Sequence, residues 1–179
     1  MTSRQRKTPR LGDVIEFDTA HGRAYLQYTH DDPRGVAGHG PLLRVLPGFF
    51  LKRPASFDTL VAERQRYFVF FQVKAAVRAG LVTIAAYDAP IPESVRPFPL
   101  MRWAGLKDRE GRPFFWVLYD GSERGQVQQL TQEQRALSIV EVLPYPDLLE
   151  RLESGWLPST DPRERLYEVG DPSTMRKGV

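Results

Sequence analysis

The run YFVFFQV at residues 67–73 constrains the fold more than any other stretch of the chain. Six of its seven residues are aromatic or valine. A strand turns successive side chains to opposite faces, so a run with almost no polar alternation has to bury both faces. It therefore predicts a central strand between two covering layers. The next segment, KAAVRAG at residues 74–80, is made of helix formers closed by Gly80, and LVTIAAY at residues 81–87 returns to strand character. A link of about seven residues is shorter than the dozen or more of a parallel crossover. The two strands are accordingly expected to be antiparallel or to lie on different sheets.

Nearer the start, residues 13–17 and 23–30 read as a hairpin joined through the turn-like residues 18–22. Gly12 suits the turn before it, and Asp13 can satisfy nearby backbone donors, which makes Asp13 a structural residue. In the second strand Ala24, Leu26 and Tyr28 share one face, with Arg23, Tyr25, Gln27 and Thr29 on the other; this alternation predicts one wet side. HDDPRGVAGHGP at residues 30–41 is rich in turn formers and reads as a surface loop. Residues 42–51 read as a strand interrupted at Pro47-Gly48. Ser56 is placed to cap a short helix with a Phe57, Leu60, Val61 and Arg64 stripe.

Further on, residues 88–99 hold four prolines and read as irregular. Two strands, 100–103 and 113–119, flank the charged loop KDREGR at residues 107–112. Residues 126–130 suggest another strand, Thr131 with Gln134 forms a capping-box pattern, and residues 139–143 return to strand character. Pro146 opens a helix with Leu148, Leu149 and Leu152 on one side and Gly155 at its end. The expected fold is α+β: a mostly antiparallel twisted β-sheet, barrel- or sandwich-like, with a few short peripheral helices. Residues 1–10 read as a basic flexible tail, 11–156 as a single β-rich domain, and 157–179 as a C-terminal extension.

A chain of 179 residues suits one domain with a full core. It has no cysteine, which excludes a disulfide framework and thiol chemistry and makes a reducing cytoplasm the simplest compartment. The formal charge of +3 suggests nucleic acid, yet Arg4, Arg6, Lys7 and Arg10 supply four positive charges in a stretch without an acid. The remainder is close to neutral, so the basic character belongs to the tail. No apolar run of signal-peptide or membrane-spanning length follows it.

Catalytic patterns are missing. The three histidines, His21, His30 and His39, recur every nine residues, an interval that matches no metal-ligand spacing, and loop histidines are the plainer reading. G-x-S-x-G, the phosphate loop and G-x-G-x-x-G do not occur. No catalytic residue, metal or cofactor is assigned. Tyr25 beside Arg23, or Trp103 after Arg102, could stack nucleobases, and the tail residues Arg4, Arg6, Lys7 and Arg10 could add phosphate affinity. A nucleic-acid-associated β-barrel module is therefore the alternative class.

Several segments taken in order resemble the immunity protein 26 family of bacterial polymorphic toxin systems. They are GDV at 12–14, G-R-x-Y at 22–25, YFVFFQVKAAVRAG at 67–80, PLMRWAG at 99–105, FFWVLYDG at 114–121, LTQEQ at 130–134 and LPYPDLLERLESGW at 143–156. The long loop at 30–41 and the proline-rich stretch at 88–99 depart from the family pattern and leave the toxin class open. The resemblance implies a non-catalytic, cytoplasmic protein that neutralises or sequesters a cognate toxin or effector by occlusion. The expected contact residues are Tyr25, His30, Asp31, Asp32 and Arg34, on the wet strand face and its loop.

Overall fold

The computed structural model describes residues 8–34, 38–110 and 112–161. Val14–Thr19 (β1) and Gly22–Asp31 (β2) form the first hairpin, followed by Pro41–Val45 (β3), a short helix Asp58–Ala62 (α1) and Phe68–Phe71 (β4). A second helix, Val73–Arg78 (α2), leads to Thr83–Ala86 (β5). Met101–Ala104 (β6), Trp116–Tyr119 (β7) and Glu123–Val127 (β8) make a meander. Gln132–Arg135 (α3), Ser138–Ile139 (β9), Val142–Leu143 (β10) and Tyr145–Glu153 (α4) complete the order.

The strands build two sheets, ordered β10-β4-β3-β2-β1-β5 and β8-β7-β6-β9. Both are mostly antiparallel, with short parallel pairings of β10 on β4 and β9 on β6. Among the described residues each sheet is open at its ends, so the architecture is sandwich-like α+β rather than a closed barrel. No helix among the described residues is long and apolar enough to cross a membrane.

One face of the larger sheet, including Ile15, Phe17, Leu26, Leu43 and Phe71, packs on Val73 and Ala76 of α2 and on Leu148 and Leu152 of α4. Its other face is covered twice. Leu42 and Phe70 meet Met101 and Tyr119 of the smaller sheet, and Val14, Tyr25 and Leu46 meet Leu60 and Val61 of α1. Every residue of β4 is buried, as its unbroken apolar run predicts. Truncating Phe70, which is fully buried between the sheets, is expected to cost about 3–5 kcal/mol.

Several expectations need correction. The first hairpin has no wet side along its centre: Tyr25, Gln27 and Thr29 are as buried as Ala24, Leu26 and Tyr28. Their polar atoms find partners inside the protein. Gln27 Nε2 donates to the carbonyls of Gly12, Ala89 and Pro90, while its Oε1 accepts from Arg44 Nε at 2.9 Å. Arg44 is fully buried, and its Nη1 and Nη2 donate to the carbonyls of Glu63 and Val61. Burial without a carboxylate pulls its guanidinium down to about 10.

The strands β4 and β5 also differ from expectation: they share a sheet and run in the same direction, with β3, β2 and β1 between them. Each is shorter than its apolar run at the facing end, which lengthens the link to residues 72–82 and makes room for a crossover. The 139–143 segment splits between the two sheets as β9 and β10, and the strand expected at 126–130 begins at Glu123. Ser56 lies one residue before the α1 cap, although its Oγ accepts from Asp58 N at 3.1 Å.

Other local expectations stand. Thr131 and Gln134 form the reciprocal capping box of α3. Asp13 is fully buried, and its carboxylate accepts from Arg10 N at 2.8 Å and Asp88 N at 3.1 Å. Gly12 has φ +90, and a Cβ there would sit 2.9 Å from Ala89 O, so the turn requires glycine. Pro158 packs past the expected domain end, its carbonyl accepting from the buried Arg102 Nη2 at 3.0 Å.

Candidate functional site

The site grows from the end of β2. Its last residue, Asp31, is exposed and accepts from Tyr28 Oη; the next side chain, Asp32, turns inward and is completely buried. Five donors converge on its carboxylate. Oδ1 accepts from Arg34 N at 2.9 Å, Arg34 Nε at 3.2 Å and Tyr119 Oη at 3.3 Å. Oδ2 accepts from Arg34 Nη2 at 3.0 Å and His39 N at 2.7 Å. Burial pushes this carboxyl up, but the Arg34 guanidinium and the His39 and Arg34 amides outweigh it and hold it far below the usual carboxylate range. Gly38 permits the approach, since a Cβ there would stand 2.5 Å from Asp32 Cγ.

The aromatic support comes from both sheets. Trp103 of β6 and Tyr119 of β7 occupy diagonal positions on one sheet face, with ring centroids 6.0 Å apart and planes 14° apart. The Arg34 guanidinium lies over Tyr119 at 5.0 Å and Trp103 at 5.8 Å. His39 rests on Phe70 of β4 at 4.8 Å. Burial and the Arg34 charge lower the His39 pKa, so its imidazole is neutral at neutral pH. Its Nδ1 touches both Arg34 Nη2 and Asp32 Oδ2, and a neutral ring serves one of them at a time: it accepts from the first or donates to the second.

This arrangement is poorly suited to moving protons. Asp32 is ionised and saturated by donors, so it has neither the pKa nor a free lone pair to act as a general base. What reaches the surface is Arg34, with a third of its side chain exposed and its plane held from below and behind. The site presents a fixed cation on an aromatic shelf.

The residues expected from sequence divide accordingly. Asp32 and Arg34 belong together at this site. His30 lies near it, half-buried, with Nδ1 3.0 Å from Thr29 Oγ1, Nε2 3.0 Å from Arg96 O and its ring edge-on to Phe98. Tyr25 does not belong: it is fully buried under α1 and donates to Glu16 Oε2 at 3.0 Å. Asp32 is likewise no surface contact and acts by holding Arg34. Arg10 is exposed, whereas Arg4, Arg6 and Lys7 lie outside the described residues. The sequence reads His39 only as a loop histidine and does not connect Trp103 and Tyr119 to Arg34; the available signal was a Gly-His pair closing a loop opened by Asp-x-Arg. Among the described residues no three His, Asp or Glu side chains group closely enough to hold a metal ion.

No family model, curated protein or solved structure matches the chain.

Proposed function

We propose that this chain is a cytoplasmic, non-catalytic binding protein of the immunity type, which neutralises or sequesters a cognate toxin or effector by occlusion. The observation that carries the binding role is the seating of Arg34 over Trp103 and Tyr119 by a buried carboxylate. Arginine, tryptophan and tyrosine dominate interface hot spots, and a side chain already ordered loses little entropy when a partner docks. The matching partner surface carries a carboxylate over Arg34 and apolar contact beside it. The immunity assignment itself draws on the segment order described above.

The test is co-purification and calorimetry with the product of an adjacent toxin gene. Arg34→Ala is expected to weaken that complex by at least about 2 kcal/mol, roughly thirtyfold, without unfolding the protein. Failure of the wild-type pair to associate sinks the reading for that partner. Binding to nucleic acid that falls steeply with salt and vanishes when residues 1–10 are removed would instead support the nucleic-acid-associated class.

A further inference from the structure

A second feature shares no residue with the Arg34 site. A cleft of about 430 Å³ opens where β4 meets β9, at the seam between the two sheets, which is held by a hydrogen bond from Phe68 N to Ser138 Oγ at 2.8 Å. That volume lies within the range of roughly 300–1,000 Å³ typical of small-molecule sites. Leu100, Leu137, Leu157 and Pro158 contribute apolar walls. The polar side chains around them are mainly donors, and among the described residues no Asp or Glu lines the cleft.

Most of those donors are unspent. The side chains of Arg64, Gln65 and Ser159 make no hydrogen bond or ion pair with any described residue. Tyr67 is 3% exposed and packs edge-on against Trp156 at 5.0 Å, and its hydroxyl is closed to solvent, so it is not offered to the cleft. Arg66 adds a fixed positive charge: its Nη2 donates to Gly155 O at 2.8 Å, which anchors the guanidinium beside the cleft. Two cations and no described carboxylate select an acceptor-rich anion, while the leucine and proline walls select an apolar body.

We propose that this cleft binds a small organic monoanion, a carboxylate carried on an apolar body, with the carboxylate against Arg64 and the body between Leu100, Leu137 and Leu157. The site stands independently of the protein-binding role, and its failure would leave that role untouched. A polyanion such as a nucleotide fits less well, because the only guanidinium free of described partners on the lining is Arg64 and the walls offer little else for further charge.

The full chain would be titrated with octanoate, acetate and octan-1-ol at constant ionic strength, read by calorimetry and by tryptophan fluorescence. Octanoate is expected to saturate and to bind at least about tenfold tighter than either of the other two, since each supplies only half of the recognition. Arg64→Gln is expected to weaken octanoate about tenfold, the loss of one charge-assisted hydrogen bond, and to leave octan-1-ol unchanged. Arg64 is exposed and has no described partner, so this variant should melt like the wild type. Equal binding of octanoate and octan-1-ol, no saturation at millimolar octanoate, or affinity unmoved by Arg64→Gln would each overturn the proposal. The last result would place the ligand elsewhere, for example in the apolar groove between α2 and β10.

Discussion

Two buried carboxylates, Glu16 and Asp32, are clasped by the same kinds of group and do different things. Glu16 on β1 accepts from Tyr25 Oη at 3.0 Å and takes two bonds from Arg53, both at 2.8 Å, with Arg23 at 3.7 Å. Asp32 accepts from Tyr119 Oη and from Arg34. The difference lies in where the arginine comes from. Arg53 is 37 residues from Glu16, so that cluster fastens the connection after β3 onto the sheet. Arg34 is two residues from Asp32, so that cluster folds a loop upon itself and reaches the second sheet through Tyr119. A distant partner makes a clamp, and a near one makes a presented side chain.

The comparison can be broken by removing each carboxylate in turn. Asp32→Ala should have the larger effect, a loss of about 3 kcal/mol in chemical denaturation, because it strands the His39 amide and the Tyr119 hydroxyl between the sheets. Glu16→Ala should cost about 2 kcal/mol: Tyr25 loses its acceptor, but Arg53, with 45% of its side chain exposed, can turn to water. Equal losses would mean that Arg34 and Arg53 are equally dispensable, and the distinction between clamp and presentation would fail.

Acid sharpens the same contrast. Arg53 holds the Glu16 carboxyl below its ordinary 4.5 against the opposing pull of burial, and Asp32 lies below its ordinary 3.8. Depressed folded-state values stabilise the protein above the unfolded pKa, and this stabilisation is lost as pH falls through the folded values. Stability should thus be level above about pH 5 and decline below about pH 4. Asp32→Asn should flatten that decline more than Glu16→Gln. An unchanged acid limb in both variants would show that neither carboxylate titrates differently on folding.

The smallest stability effects belong to the arginines. Arg34→Ala and Arg53→Ala should each cost about 1–2 kcal/mol: the arginines are partly solvated, but each leaves a buried carboxylate, Asp32 keeping its amide donors and Glu16 its Tyr25 hydroxyl. They part company in binding: Arg34→Ala should reduce partner affinity, Arg53→Ala should not, and Arg34→Lys should fail to restore it because an ammonium lacks the planar fork that spans Asp32 and stacks on Tyr119. Equal affinity losses from Arg34→Ala and Arg53→Ala would remove Arg34 from its special position.

Legibility in the sequence followed the range of the interactions. YFVFFQV announced a strand covered on both faces because burial of every residue leaves no alternation to hide. The Thr131 and Gln134 capping box and the Gly12-Asp13 turn were equally plain, since their partners lie close along the chain. The first hairpin misled for the opposite reason. Tyr25 and Gln27 alternate with apolar residues as a solvated face does, and only the arrival of Glu16, Arg44 and α1 turns that face into core.

The functional site divides along the same line. Asp32 and Arg34 could be singled out together because a short loop brings them into contact almost regardless of the rest of the fold. Trp103, Tyr119 and Phe70 join them only through the packing of one sheet on the other. By itself the sequence determined the strand-rich class, the local turns and caps, and a charged pair at a loop, all set by interactions a few residues in range. The tertiary structure decided which polar residues are buried, that the 139–143 segment serves both sheets, and that Arg34 faces outward on an aromatic shelf. Those outcomes depend on contacts between residues tens of positions apart, whose pairing no local pattern records.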